Sequence, residues 1–428
     1  MLFLAISILC LMAVVNYRIG NKALFFPPVV FCFVWAADLT LVWLAGNFFY
    51  PLSAATLFIF VFGALAFSLG AYVALCHPQK APASNRGSIE SSDRVLSLLV
   101  LVAVAAIPFF YRWITSLTAE SGVNFLFAAR SATANEMNAG LAASFFMNLV
   151  TFATIVAIIA FCEGGKKRTF IAIGAALVLN LLTGARAGAM TLILCFLCID
   201  WMKNRRVRWK PLVVMVLALV ISFSVIAVYV QTGETRADAS LGDNLVPIAQ
   251  AFIDYAAGGL PAFSQVVERP HIISHNWQIY NPVLLILNHL GAHFEVAGPN
   301  AEFLNIGPEG LTTNVYTIYF AYIDFGWLGT MLFMFGIGFL VSHVYLHAMS
   351  GGKILTVFYS YLFASIILSP FSDYFFMAFN FSSKLLAISW IVYGLPFRWS
   401  QFRALCASGA KVNLSARHHD PTNIAGLP

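Results

Sequence analysis

Between residues 232 and 312 the chain gathers eight carboxylates, two arginines and four histidines into one polar segment. The acids are Glu234, Asp238, Asp243, Asp254, Glu268, Glu295, Glu302 and Glu309, and Phe252, Tyr255, Phe263, Trp277, Tyr280, Phe294 and Phe303 are interleaved with them. Aromatic faces can stack on sugar rings while carboxylates, amides and imidazoles bond the hydroxyls. An interfacial loop with its aromatics at headgroup level uses the same residue types, so composition alone leaves both readings open.

The histidines recur as His271-x-x-x-His275 and His289-x-x-x-His293. That spacing puts two imidazoles on one helical face, but no third ligand is fixed by spacing, and no metal or cofactor is expected. A general base toward a sugar hydroxyl fits better, because histidine and glutamate can be tuned toward neutrality. His293 and Glu295 lead as candidate bases, ahead of Asp254, Glu302 and His289. They directly follow the apolar stretch 280–290, which would anchor them near a membrane surface. Two residues apart, they would not share a helical face, so one of them acts.

A guanidinium is a forked, permanently charged donor suited to phosphate oxygens. Arg186 lies in Gly184-Ala185-Arg186-Ala187-Gly188, where glycines leave the backbone open to close approach, and Arg236 lies in Thr235-Arg236-Ala237-Asp238. Both are read as phosphate-binding, with pairing to a nearby carboxylate as the alternative. Arg269 and Arg130 rank below them.

The elements that position these groups follow from composition. Sixty per cent of the residues are hydrophobic, 10% are charged and the mean hydropathy is +0.83, which excludes a soluble domain. The apolar runs are unbroken rather than alternating, so they predict helices and not a barrel. The chain is an all-α polytopic membrane protein with about eleven spans, near 1–16, 25–46, 52–76, 95–114, 141–162, 169–183, 187–202, 211–231, 319–346, 354–370 and 375–396. Eighteen of the 24 lysines and arginines fall in 17–24, 77–94, 163–168, 203–210, 347–353 and the tail from 397, which makes these segments cytoplasmic. The N-terminus and the 232–312 loop then lie on the outer side and the C-terminus is cytoplasmic. This divides the chain into N-terminal membrane helices (1–231), a large outer loop (232–312), C-terminal membrane helices (313–397) and a disordered tail (398–428).

Two features break the regular pattern. Spans 169–183 and 187–202 are short of the roughly twenty residues a bilayer needs, yet both are flanked by basic clusters. They predict a hairpin whose turn, with Arg186, is sunk below the outer surface. Within the outer loop, 245–257 and 280–290 are too apolar for solvent and predict helices on, or dipping into, the outer face. Asp324, Asp373 and Lys384 sit at or within spans and are read as structural pairing partners. The seven cysteines lie in apolar spans, at their ends or in the tail, so no disulfides are expected, and Cys195-x-x-Cys198 is helix packing.

Four motifs in order resemble one family. They are Leu182-Thr183-Gly184-Ala185-Arg186-Ala187-Gly188, then Tyr255-Ala256-Ala257-Gly258-Gly259-Leu260-Pro261-Ala262-Phe263, then Thr313-Asn314-Val315-Tyr316-Thr317, and Tyr322-Ile323-Asp324-Phe325-Gly326-Trp327-Leu328-Gly329. With a large loop between the eighth and ninth spans, they look like the oligosaccharide repeat-unit polymerases, the Wzy-type O-antigen polymerases. The resemblance covers about residues 170–345.

It implies a C-type glycosyltransferase of the bacterial inner membrane. Such an enzyme moves a growing glycan from undecaprenyl diphosphate onto a new lipid-linked repeat unit on the periplasmic side. On the matched motifs Tyr255, Asn314, Tyr316 and Asp324 are expected to line the substrate site beside Arg186, Arg236 and Arg269. Membrane lipid, a Wzz-type chain-length regulator and a Wzx-type flippase are the implied partners, with no nucleic acid. Two other classes share the layout: an O-antigen ligase delivering glycan to lipid A core, and a lipid-linked oligosaccharide flippase or transporter. Sparse charge within the spans, halves that do not look alike and polar mass on one face speak against a transporter.

Overall fold

In the computed structural model, residues 1–77, 93–121, 140–183, 186–205, 213, 217, 241–269, 283–284, 287–288, 290–294, 303–308, 310–313, 317–376 and 378–394 are described. The expected span 211–231, apart from Val213 and Leu217, and the expected tail 398–428 lie outside them.

The architecture is helical. In chain order the helices are α1 (Leu2–Ile19), α2 (Pro27–Ala45), α3 (Ala54–Cys76), α4 (Asp93–Ser121), α5 (Gly140–Glu163), α6 (Lys166–Leu182) and α7 (Arg186–Asn204). The outer segment contributes α8 (Leu241–Ala257) and α9 (Gly259–Glu268), and α10 (Ala321–Met349), α11 (Lys353–Ile367) and α12 (379–394) complete the bundle. Seven stretches among the described residues are long and apolar enough to cross a membrane, which makes this a multi-pass membrane protein. Phe3, Leu4, Leu11, Phe33, Phe109 and Phe170 face outward, as a lipid-facing surface allows.

Local chemistry starts and stops these helices. Pro27 and Pro28 open α2 in its first turn, where a missing N–H costs nothing. Gly46, at φ +57°, ends it. Ser53 caps α3 by accepting from the Thr56 N–H at 3.1 Å.

Two groups of helices emerge from the packing. One is α1, α2, α3 and α10, and the other is α4, α5, α6 and α7, with α11 touching α2 and α10 on one side and α5 and α7 on the other. In the first group α3 and α10 run side by side with almost no side chain between them. A side chain begun at Gly70 would stand 2.0 Å from the Phe335 carbonyl oxygen, and one begun at Gly338 would stand 2.0 Å from that of Phe67. Small residues let membrane helices approach to backbone contact in this way. In the second group α5 is the centre, with Ala153 and every residue from Ile155 to Ala160 fully buried.

Polar ties bring one set of helix ends to a common face. Arg168 at the start of α6 pairs with Asp93 at the start of α4 (2.9 Å), and Lys353 at the start of α11 pairs with Glu163 at the end of α5 (3.1 Å). The Lys203 ammonium on α7 donates to the Phe161 carbonyl on α5 (3.0 Å), and Arg205 donates to the Met349 carbonyl at the end of α10 (3.3 Å). The segments marked by basic residues in the sequence therefore share a face. The Arg168–Asp93 pair, with its carboxylate open to water, contributes little stability and serves here to mark register among helix ends.

Candidate functional site on the face opposite the basic ends

The opposite face is built from the ends of α2, α3, α10 and α11, with α8 and α9 seated on them. Helix α9 is the dipping element. Gly259 to Ser264 and Val266 are all buried. The sequence reading expected helices at 245–257, where α8 lies, and at 280–290, much of which is outside the described residues, and did not anticipate α9. Ser264 fixes it: its Oγ accepts from the Ser53 N–H (2.9 Å) and from the Thr56 hydroxyl (3.1 Å) at the start of α3. Phe263 enters an aromatic core with Phe60, Tyr319 and Tyr322, at ring centroid distances of 5.7, 6.3 and 6.0 Å. Tyr319 donates to the Phe60 carbonyl (3.1 Å).

Asp254 sits at the knuckle where α8 turns into α9. The Gly258 N–H donates to the Asp254 carbonyl (2.8 Å). A side chain at 258 would begin 2.7 Å from the Asp254 Oδ1 and 3.0 Å from the Ile306 Cδ1. Gly258 has φ −62°, so it is required for space and not for backbone freedom. Ile306 belongs to a small hairpin, β1 (Leu304–Asn305) paired antiparallel with β2 (Thr312–Thr313). The hairpin is tied to the α2–α3 connection by the Tyr50 N–H donating to the Ile306 carbonyl (2.8 Å). Asp254 is half-buried in this corner. Its neighbour Tyr255 stacks on Phe371, with centroids 4.2 Å apart, and so joins α8 to the turn after α11.

Asp324 lies half-buried in the first turn of α10, two residues before a break at Gly326, where φ is +64° and ψ −164°. No atom outside the local backbone approaches the position a Gly326 side chain would take, so this glycine is required for its left-handed conformation. Asp373 accepts from the N–H groups of Phe375 (2.8 Å) and Phe376 (3.2 Å). Lys384 donates to Asn148, which ties α12 to α5.

Arg186 is the first residue of α7. Helix α6, with 17 residues, spans about 25 Å at 1.5 Å per residue, less than the roughly 30 Å hydrocarbon core. Helix α7 has 19 residues, as many as α2, and contrary to the sequence expectation supplies one of the seven stretches long and apolar enough to cross. A buried polar clasp sets the crossing of the two helices. The Asn180 amide donates to the Thr154 hydroxyl on α5 (3.0 Å) and to the Ala176 carbonyl (2.8 Å), and Thr154 in turn donates to the Val150 carbonyl (2.9 Å). The Asn180 Oδ1 then lies 1.9 Å from where a Gly188 side chain would begin. Gly188→Ala is therefore expected to push α7 away from α6 and to cost about 1–3 kcal/mol of stability. Adding Asn180→Ala to that variant should recover part of the loss, as measured by thermal unfolding in detergent. A double variant that melts no higher than Gly188→Ala would contradict the clasp.

The remaining sequence candidates are less assembled. Arg269 is exposed at the end of α9, with its N–H on the Gln265 carbonyl (2.8 Å). His293 is exposed beside a tight turn in which Asn288 exchanges two hydrogen bonds with the Phe294 backbone (2.9 and 2.8 Å). Glu295, Glu302, His289, Arg236, Asn314 and Tyr316 lie outside the described residues, as does the Arg186 side chain. The structure thus brings Asp254, Tyr255 and Asp324 to one face of the bundle, the side on which α7 begins. It also reveals Asp38, a buried carboxyl in α2 that the sequence reading passed over.

Over residues 1–253 the chain matches the family model for O-antigen polysaccharide polymerase Wzy, more than half of its 428 residues. No curated protein and no solved structure matches it. The matched stretch runs from α1 into α8 and contains the α6–α7 hairpin with its clasp. The chain belongs to the O-antigen polysaccharide polymerase Wzy family.

Proposed function

We propose that the protein is a glycosyltransferase that joins undecaprenyl-diphosphate-linked oligosaccharide repeat units into O-antigen or a related surface polysaccharide, on the periplasmic side of the inner membrane. The observation that carries this reading is Arg186 as the first residue of α7, at the end of that helix remote from the Lys203 and Arg205 ties of the basic face. A lipid diphosphate has its charge at the membrane surface and its tail in hydrocarbon, so a guanidinium at the outer end of a membrane helix meets the leaving group without drawing the tail into water. Charge that develops on the departing diphosphate is stabilised there by a fork fixed in advance. Arg236 and Arg269 serve as further phosphate contacts from the outer segment, and Tyr255, Asn314, Tyr316 and Asp324 bind sugar. His293, Glu295, Asp254 and Glu302 are the outer-segment groups available to the acceptor hydroxyl. A chain-length regulator and a flippase act beside such an enzyme.

The purified protein in liposomes, supplied with synthetic lipid-linked repeat units, tests the reading. A ladder of lengthening products supports polymerisation. Transfer only to a lipid A core would mean a ligase, and movement of the unit across the bilayer without bond formation would mean a flippase.

Orientation is tested separately. On a cysteine-free background, an impermeant thiol reagent applied to intact cells should label Glu268→Cys, which is exposed at the end of α9, and spare Lys411→Cys. The reverse pattern would invert the topology.

A further inference from the structure

Along α3, Phe58, Phe62, Leu69 and Val73 are all exposed. Their spacing puts them on one face, turned toward lipid. Trp327 and Phe335, two turns apart on α10, are exposed as well. The two rows meet. Phe62 stacks on Phe58 and stands edge-on to Trp327, with ring centroids 6.2 Å apart in each case. Seven residues beyond Phe62, Leu69 and Val73 line a cavity of about 550 Å³ together with Phe335, and Tyr72, Cys76 and His77 complete its wall.

These contacts lie along one side of the α3–α10 seam. The Phe62–Trp327 pair and the Leu69–Phe335 pair are separated by seven residues on α3 and eight on α10, about 10 and 12 Å. The two helices therefore run parallel, and a furrow follows them from the aromatic pair to the cavity. Its floor is closed, because Gly70 and Gly338 bring the two backbones into contact. An occupant lies along the seam and cannot pass between the helices.

The furrow begins at the candidate site. Trp327 follows the break at Gly326, three residues after Asp324, and Tyr322 of the same turn meets Phe263 of α9 with centroids 6.0 Å apart. Its other end is deep. Leu69 is fifteen residues beyond Ala54, about 22 Å from the outer end of α3. That is well past the middle of a hydrocarbon core roughly 30 Å thick. A phospholipid acyl chain rooted in the outer leaflet stops near that middle, whereas a long polyprenyl tail continues beyond it.

We propose that this furrow binds the undecaprenyl tail of a lipid-linked substrate, which enters beside Trp327 and runs into the cavity between Leu69 and Phe335. The identity of the tail rests on the polymerase reading above. Phe58, Phe62, Trp327 and Phe335 offer broad apolar faces to a methyl-branched, unsaturated chain. A tail held here keeps its diphosphate at the outer end of α10, beside Asp324 and α9. Contacts to a part of the substrate remote from the reacting bond then help to orient that bond. An acyl chain rising from the inner leaflet past His77 is the competing occupant, and it forms one arm of the test.

The experiment uses an undecaprenyl diphosphate analogue carrying a diazirine midway along its tail, in proteoliposomes of phosphatidylethanolamine and phosphatidylglycerol. After irradiation the label should map to residues 69–77 and to Phe335. Excess unlabelled undecaprenyl diphosphate should abolish it, and the same excess of phosphatidylglycerol should not. Leu69→Trp and Val73→Trp fill the cavity from the lipid side. Each should lower labelling about tenfold, the order expected when a buried apolar contact is lost. Leu98→Trp, on the exposed face of α4, should label like the wild type. Label spread evenly over α3, α4 and α10 overturns the site, as does equal displacement by phosphatidylglycerol. Undiminished labelling in both cavity variants overturns it too, and if either variant melts lower, the wild-type competition decides. Chain growth on a lipid-linked repeat unit without labelling of the seam overturns the site alone. Labelling of the seam without chain growth supports the site and overturns the polymerase reading.

Discussion

Replacing Arg186 with lysine is expected to lower polymerisation about 10²–10³-fold, the effect of removing one fixed donor to a developing oxyanion. The charge survives in this variant, so the loss measures geometry. A lysine presents a hydrated point charge on a flexible stem, whereas arginine offers two parallel N–H groups to one phosphate. The backbone at this position is held on both sides. Asn180 bonds α6 to α5, and its Oδ1 rests against Gly188 two residues after Arg186. The position also opens a helix, whose first N–H groups point outward and favour an anion. The measurement is kcat for chain growth at equal amounts of inserted protein. A lysine variant working at the wild-type rate would remove the diphosphate contact from the mechanism.

The seam between α3 and α10 should be the part of the fold least tolerant of added volume. Gly338→Ala places a methyl group 2.0 Å from the Phe67 carbonyl oxygen, and Gly70→Ala does the same against that of Phe335, with the Phe339 nitrogen at 2.8 Å. In both cases the obstacle is backbone and cannot rotate away. The helices must separate, at a cost of about 1–3 kcal/mol for each variant. Tyr319 lies over Gly63 at the outer end of the same seam and supports Phe263 of α9, so polymerisation should fall together with stability. Gly336 provides the control, because nothing lies within 4 Å of the position its side chain would take. Gly336→Ala should melt at or slightly above the wild type, since alanine is the better helix former. A Gly338→Ala variant that melts like Gly336→Ala would show that the helices are not in backbone contact.

The parts of this fold that were legible in the sequence are those written in length and charge. The α6–α7 hairpin could be anticipated because two apolar runs joined by a short glycine-containing turn are both bounded at their far ends by lysines and arginines, although α7 proved as long as α2. The common face of Asp93, Glu163, Lys203, Arg205 and Lys353 follows from the same distribution. Helix α9 was hidden because Gly258-Gly259-Leu260-Pro261 has the composition of a turn. Yet Pro261 falls in the first turn of the helix, where proline is tolerated, and Gly258 is needed for the room it leaves Asp254. Asp38 was hidden for a different reason: one acid barely lowers the hydropathy of a span, and its burial appears only once the helices are packed. The approach of Gly258 to Ile306 joins residues 48 positions apart, and no local pattern encodes such a contact. His293 illustrates the converse. Its spacing from His289 suggested a shared helical face, whereas the described residues 290–294 form a turn with the imidazole exposed.

The most direct test is stoichiometric. In proteoliposomes holding the purified protein and a synthetic undecaprenyl-diphosphate-linked repeat unit, each new glycosidic bond should release one undecaprenyl diphosphate, and product length should grow by whole repeat units. Chain growth with one equivalent of lipid diphosphate released per bond is the predicted result. Bond formation without that release, or no bond formation by protein shown to be folded and inserted, would contradict it.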